Sequence, residues 1–247
     1  MLSKAQIKYI RSLTQQKYRK EHHVFIAEGD KIAREWLNSE EHIRHIIALP
    51  SWLEEHATLV SRHPEAQVAE VSEEILRSVS SLQTPNQALL VVKMPEQPAK
   101  LPVAGWSIAL DNIQDPGNMG TIIRIADWFG ISNIICSQGC VDVYNPKVVQ
   151  AAMGGHLRVR FMEADLLVFI SNTQLPVLAA TLHGKNIHEC KPVNEAILLI
   201  GNESKGLSPE LIEKASMQIT IPRRGGAESL NAAVSAGIIC SHLMPFI

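Results

Sequence analysis

Cysteine is scarce in this chain. There are four in 247 residues, at 136, 140, 190 and 240, with no Cys-x-x-Cys pair and no secretory segment ahead of them. A disulfide framework is excluded, and reduced thiols in a cytoplasmic protein are expected. The ten histidines are scattered, and neither His22-His23 nor His42 and His45 has a cysteine or carboxylate partner at ligand spacing. No metal is therefore expected. No apolar run reaches the about 20 residues that a membrane-spanning helix requires. Lys and Arg total 23 against 25 Asp and Glu, a formal charge of −2, which by itself indicates no polyanion partner. There is no internal repeat and no low-complexity tract. A Rossmann glycine fingerprint after a predicted strand is missing, as is a complete phosphate loop, so the nicotinamide and P-loop readings fail.

What is present is ordinary globular material, 46% hydrophobic and 19% charged, enough to bury a core in one large domain or two smaller ones. Charge is uneven locally. Lys4, Lys8, Arg11, Lys17, Arg19 and Lys20 all precede the first acid, Glu21. Such a basic arm is either a nucleic-acid footprint or a solvated helix face.

In chain order, residues 3–18 read as a helix with Ile7, Ile10, Leu13 and Thr14 inward. A strand over 23–27 follows, then a turn at Gly29 and a helix capped by Asp30. Strands over 43–48, 67–71 and 88–92 alternate with helices from Ser51 and Ser72, the pattern of a small α/β unit over 1–94. Residues 95–104 hold three prolines within 94–102 and read as a linker. A second α/β unit over 105–247 has strands over 106–110, 133–136, 158–161, 176–180, 196–200 and 218–221. The 196–200 strand is continuously apolar, as a buried parallel strand is.

Three loops of this second unit combine turn formers with polar side chains that propensity alone does not require. They lie between strand and helix at 111–124, 201–206 and 221–231, where open α/β sheets place ligands. Ser229 stands before the last apolar run, at an expected helix N-cap, a terminus suited to a polar or anionic ligand. That run, from Leu230 to Leu243, has almost no polar face. A helix of this kind is buried on more than one side, here against its own sheet and a second subunit.

Taken together, the loops resemble the three motifs of the SpoU (TrmH-type) RNA ribose 2′-O-methyltransferases of the SPOUT class. The first is Asp115-Pro116-Gly117-Asn118-Met119-Gly120-Thr121-Ile122-Ile123-Arg124. The second is Leu199-Ile200-Gly201-Asn202-Glu203-Ser204-Lys205-Gly206-Leu207. The third runs from Ile221-Pro222 to Ser229-Leu230-Asn231. The front half, with Lys17-Tyr18-Arg19-Lys20 ahead of Phe25-Ile26-Ala27-Glu28-Gly29, looks like the substrate-binding domain common in this family. Ser204 and Ile125 depart from the glycine and threonine often found there.

The resemblance implies a C-terminal SPOUT α/β domain with a trefoil knot, preceded by a small α/β RNA-binding domain. It also implies a homodimer and S-adenosylmethionine as methyl donor. It assigns catalysis to Arg124, Asn118, Glu203, Ser229 and Asn231, and cofactor binding to Gly201, Ile221 and Leu230. RNA contacts fall to Lys17, Arg19, Lys20, Arg223 and Arg224. The substrate it implies is a ribose 2′-hydroxyl of RNA, ribosomal RNA before transfer RNA, with no membrane and no metal involved. Arg124 is an awkward base, because a guanidinium stays protonated above pH ~12. Holding phosphate and stabilising a developing alkoxide suits it better; a plain salt bridge to Asp127 or Asp115 is the structural alternative. Two competing functions remain open on the sequence: a non-catalytic RNA-binding or ribosome-assembly factor of the same fold, and a methyltransferase acting on a base or small molecule.

Overall fold

The first helix begins at its cap. Ser3 accepts a hydrogen bond from the Gln6 amide while the Gln6 side chain accepts from the Ser3 N–H, a reciprocal capping box that opens α1 (Lys4–Ser12). In this computed structural model, which describes residues 2–82, 86–96 and 104–245, the helix expected over 3–18 stops at Ser12 and resumes as α2 (Gln16–His22). The break has a visible partner. The Arg19 guanidinium donates to the carbonyls of Leu13 and Thr14, each at 2.8 Å, and so satisfies acceptors that a helix end leaves open.

The chain continues as β1 (Val24–Glu28), α3 (Asp30–Leu37), β2 (Ile43–Ala48), α4 (Pro50–Glu55), α5 (Ala57–Val60), β3 (Gln67–Glu70), α6 (Glu73–Val79) and β4 (Ala88–Lys93). After residues 97–103, which make up most of the linker expected over 95–104 and lie outside the described residues, come β5 (Trp106–Asp111), α7 (Pro116–Trp128), β6 (Asn133–Cys136), α8 (Pro146–Ala152), β7 (Arg160–Glu163), α9 (Leu166–Ser171), β8 (Val177–Asn186), β9 (Ala196–Gly201), α10 (Pro209–Lys214), β10 (Met217–Thr220) and α11 (Ala232–Leu243). Asp30 does not cap α3. Gly29, at φ +111°, takes that position, and the Asp30 carboxylate instead accepts from Trp52 Nε1 and Arg34, both at 2.9 Å.

These elements form two compact units. The first comprises Met1–Glu96 together with Asp142–Leu157; the second comprises Gln97–Val141 with Arg158–Ile247. Residues 142–157, expected within the C-terminal unit, thus pack with the N-terminal one. The first unit holds a four-stranded sheet of order β1-β4-β2-β3, in which β4 runs antiparallel to both neighbours. One face buries Val24, Ile26, Val91 and Leu89 against Ile10, Leu13 and Leu76. On the other, Phe25 meets Trp36, Tyr144 and His156 at ring distances of 5.2, 4.8 and 6.5 Å.

The second unit is a six-stranded sheet of order β10-β8-β9-β5-β6-β7, parallel throughout. β5 and β6 are buried over their whole length and β9 over all but its last residue, which is why 196–200 reads as an uninterrupted apolar run. β8 extends well past the expected 176–180. Its pairing with β10 jumps from Ala179 to Lys185, and Gly184 lies so close to the Gln218–Ile219 peptide that a Cβ would sit 2.5 Å from it. Since all six strands point one way, their following loops share the carboxyl edge of the sheet.

Two measurements test the first unit. Arg19 is only 1% exposed and pairs with Asp142 at 2.5 Å. Arg19→Ala strands that carboxylate and is expected to cost about 3–5 kcal/mol, whereas Lys20→Ala, at an exposed position, changes stability by no more than about 0.5 kcal/mol; urea unfolding distinguishes the two. His156 is buried, and burial pushes its pKa from 6.5 to about 4 against the opposing pull of the Val143 carbonyl and Asp142. The folded state therefore favours neutral imidazole. Its stabilisation is complete above pH 6.5 and is lost as the pH falls towards 4, a total of about 3 kcal/mol. Unfolding free energy measured across this window should flatten in His156→Gln.

Candidate active site

The site is built on helix starts. Asp115 caps α7, its carboxylate accepting from the Asn118 N–H at 2.7 Å, with Pro116 at the first helical position. This fixes the turn that presents the half-buried Asn118 side chain. Asn118 Nδ2 donates to Glu203 Oε1 at 2.7 Å, and Asn118 Oδ1 accepts from Asn231 Nδ2 at 2.7 Å. Asn231 Oδ1 in turn accepts from the N–H groups of Ala233 and Val234 at 3.0 and 3.2 Å. The amide orientations are mutually determined. Helix N–H groups demand an acceptor, so each amide turns its oxygen towards α11 and its NH₂ towards Glu203.

This relay corrects one expectation. The N-cap of α11 is Asn231, not Ser229. The helical turn starts only at Ala232, and Ser229 is exposed two residues too early to reach its N–H groups. Of the five residues assigned to catalysis, the structure joins Asn118, Glu203 and Asn231 by direct hydrogen bonds.

Arg124 lies on the exposed side of α7. Both of its alternative acid partners are engaged elsewhere. Asp127 accepts two bonds from Arg158, at 2.6 and 2.8 Å, and Asp115 is occupied by its cap. Among the described residues, Arg124 has no hydrogen-bond or ion-pair partner. A guanidinium so placed is available to an anionic ligand.

The loop after β9 is closed by its own polar groups. Asn202 and Gly206 exchange backbone hydrogen bonds at 3.1 and 2.9 Å, while Asn202 Oδ1 accepts from the amides of Ser204 and Lys205. Asn202 Nδ2 donates to the Asn112 carbonyl at 2.7 Å. Gly201 must be glycine for this closure, because a Cβ there would stand 2.3 Å from the backbone of Gly206 and Leu207. The close approach expected at Gly201 is thus made by the protein's own chain. Asp111, 5% exposed, accepts from the Ser208 amide at 2.9 Å and from Asn112 Nδ2 at 2.7 Å. Asn112, Asn202 and Asp111 were not singled out from the sequence, although an acid ending an apolar strand is a readable signal.

Ile221 follows β10 directly and lines a cleft with Ile187, Pro222, Gly237, Ile238 and His242. Leu230, 48% exposed, precedes α11. Between them, 221–230 is irregular backbone. Arg223 donates to the Ala227 carbonyl at 3.0 Å, closing its own loop, and Arg224 is exposed. In the first unit Lys17 and Lys20 are exposed, with the Lys17 ammonium 5.8 Å from the Tyr18 ring centroid. Arg19 departs from its expected role. Its guanidinium is committed to Asp142 and two carbonyls, so it has nothing to offer RNA.

Comparison with known proteins gives the family. Residues 105–241 match the family model described as the SpoU rRNA Methylase family, and residues 4–90 match the MRM3-like substrate binding domain. The 23S rRNA (guanosine(2553)-2′-O)-methyltransferase RlmP of Bacillus subtilis is 30% identical, with 96% of this chain and 95% of that protein covered. A TrmH-family structure from Porphyromonas gingivalis superposes with a TM-score of 0.88 at 37% identity, over 99% of this chain and 98% of that one. The AdoMet-bound rRNA methyltransferase of Sinorhizobium meliloti gives a TM-score of 0.85 at 29% identity, over 98% and 96%. The chain belongs to the SpoU methylase family.

Asn118→Asp tests the relay. It replaces the donor facing Glu203 with a second carboxylate, leaving like charges in contact. Loss of a hydrogen bond to a charged group is expected to cost about 1.5–3 kcal/mol and lower the thermal midpoint. Asn118→Ala, without the added charge, should be milder in the same melt.

Proposed function

We propose that this chain transfers the methyl group of S-adenosylmethionine to a ribose 2′-hydroxyl of ribosomal RNA. The observation that carries the reading is the exposed, unpartnered Arg124 on the helix whose first turn holds the Asn118–Glu203–Asn231 relay. The rRNA-modifying relatives support the substrate class.

The residues fit the cofactor. Leu230 and the half-buried Ile221 offer apolar surface to flank an adenine, and the irregular 221–230 backbone carries N–H and C=O groups outside helix and sheet that can read its edge. Gly201, the last residue of β9, is the third residue of this proposal. When bound, S-adenosylmethionine supplies a methyl group already activated as a sulfonium, so no metal is required of the protein. The protein's task is then alignment, which supplies about 7–11 kcal/mol in favourable systems. Arg124 holds the RNA phosphate and stabilises negative charge developing on the 2′-oxygen. The 2′-hydroxyl proton passes to phosphate or water, since a guanidinium is a poor base. Asn118 and Asn231 orient the loops, Glu203 anchors them, and Ser229 hydrogen-bonds the substrate.

Lys17, Lys20, Arg223 and Arg224 are phosphate contacts that position the RNA without reading its sequence. The trefoil knot and the cytoplasmic location belong to the same proposal. So does a homodimer. Val234 and Ile238 stand one turn apart on α11, 48% and 37% exposed, apolar surface that a second copy would cover.

Labelled methyl transfer to unmodified total RNA, followed by nucleoside analysis, tests the reading. A 2′-O-methyl nucleoside is the expected product. Arg124→Ala should lower the rate by about 10²–10³-fold while leaving cofactor affinity unchanged in calorimetry. Methylation on a base, or no cofactor binding at all, would sink it.

A further inference from the structure

We propose that Asn112 is a positioning residue for methyl transfer, and that its backbone carbonyl, read by Asn202, sets the loop that carries Glu203. The consequence for rate rests on the methyl-transfer reading; the hold on the loop rests on hydrogen bonds alone.

Asn112 directly follows β5 and has φ +56°. Left-handed backbone is costly for a residue with a side chain, although asparagine bears it better than most. It persists only where the surroundings over-determine it, and here they do. The Asn112 N–H donates to Ser137 Oγ at 2.9 Å, and its side-chain Nδ2 donates to the buried Asp111 carboxylate at 2.7 Å. The other oxygen of Asp111 accepts from the Ser208 amide at 2.9 Å. One residue on, the Ile113 carbonyl accepts from the Val141 amide at 2.8 Å. Gly139 lies so close to the Asn112 side chain that a Cβ there would stand 1.7 Å from its oxygen. The turns after β5 and β6 are thus locked together independently of the loop after β9.

The Asn112 carbonyl, left outside the β5 ladder, accepts from Asn202 Nδ2 at 2.7 Å. That bond decides which way the Asn202 amide faces. Its oxygen is turned to the Ser204 and Lys205 amides, at 3.0 and 3.1 Å, while the Asn202 backbone exchanges two bonds with Gly206. Glu203 lies inside this closed turn, so its backbone has little freedom. Its carboxylate then takes the Asn118 Nδ2 donor at 2.7 Å. Among the described residues Glu203 has no other hydrogen-bond partner. Its direction is therefore set from two sides, by the turn behind it and by Asn118 ahead of it. A displacement of about 1 Å in groups that align reactants can lower a rate about 10²-fold. Asn112 acts through Asn202 and Glu203, at one remove from the reacting atoms.

The test compares three variants of the full-length chain. Asn202→Ala removes the reader. Asn112→Val forces the backbone out of the left-handed region, where a β-branched residue is an outlier, whereas Asn112→Gly is at ease there. With labelled S-adenosylmethionine and unmodified total RNA, Asn202→Ala and Asn112→Val should lower kcat about 10²-fold, with a smaller change in the KM for RNA. Asn112→Gly should escape most of that loss. Amide exchange followed by mass spectrometry should accelerate over 202–206 in the two impaired variants and not in Asn112→Gly. A double-mutant cycle isolates the route. If Asn202 acts through Glu203, adding Asn118→Ala to Asn202→Ala lowers kcat little beyond the worse single change, because residues that act as a unit are non-additive. Three results overturn the proposal: effects on kcat that multiply, Asn112→Gly as impaired as Asn112→Val, or exchange over 202–206 unaltered in Asn202→Ala. Should Asn112→Val fail to fold, Asn202→Ala and the cycle make the same test. If the wild type transfers no methyl group, the proposed function falls, and the same cycle read by urea unfolding decides whether Asn112 holds the loop: additive stability changes sink the claim and non-additive ones support it.

Discussion

One side-chain amide ties the second unit's three loops together. Asn118 has a donor facing Glu203 and an acceptor facing Asn231, residues 85 and 113 positions away in sequence. Neither bond is individually large, because a hydrogen bond to a charged group contributes only about 1.5–3 kcal/mol net. Together they impose direction. A flipped Asn118 would set its oxygen against a carboxylate and its NH₂ against another NH₂, losing both contacts at once. This arrangement needs the sheet beneath it. Only with all six strands parallel do the loops after β5 and β9 and the start of α11 share one edge, close enough for short side chains to meet.

The first unit uses buried polar groups differently, to hold chain ends rather than to present them. Glu28 is 3% exposed, yet one carboxylate oxygen takes the Ser81 amide and hydroxyl, and the other takes the Ser80 hydroxyl. Arg19 satisfies the last carbonyls of one helix from the middle of the next. A buried charge left unpaired is costly, so these groups specify which segments must lie together even where they add little net stability.

How much of this was legible in the sequence depends on range. Strands such as Trp106–Asp111 and Ala196–Gly201 were readable because burial on both faces leaves an apolar run. The start of α7 at Pro116 falls inside the stretch read as a loop over 111–124, because Asp-Pro-Gly is turn chemistry as much as a helix start. The three loops were recognisable as a set through family resemblance, and Asn118, Glu203 and Asn231 do meet. Ser229 was misread because serine and asparagine both cap helices, and only the backbone decides which stands one residue before the first turn. Arg19 was misread as a surface cation because its partner, Asp142, lies 123 residues away, beyond any local pattern.

The return of 142–157 to the first unit has a consequence for synthesis. Arg19 needs Asp142, and Phe25 packs on Tyr144 and His156, so that unit is incomplete until residue 157 has left the ribosome. By then β5, α7 and β6 of the second unit have also emerged. Domains generally complete in order from the N-terminus as a chain is made; here the connectivity interleaves the two. A gene segment ending near residue 96 would encode a β1 whose aromatic cover is missing, and an open apolar face on a nascent chain is an aggregation hazard. Any recombination that exchanges the front unit between relatives must therefore carry two separate stretches of sequence, which ties the inheritance of the first unit to that of the second.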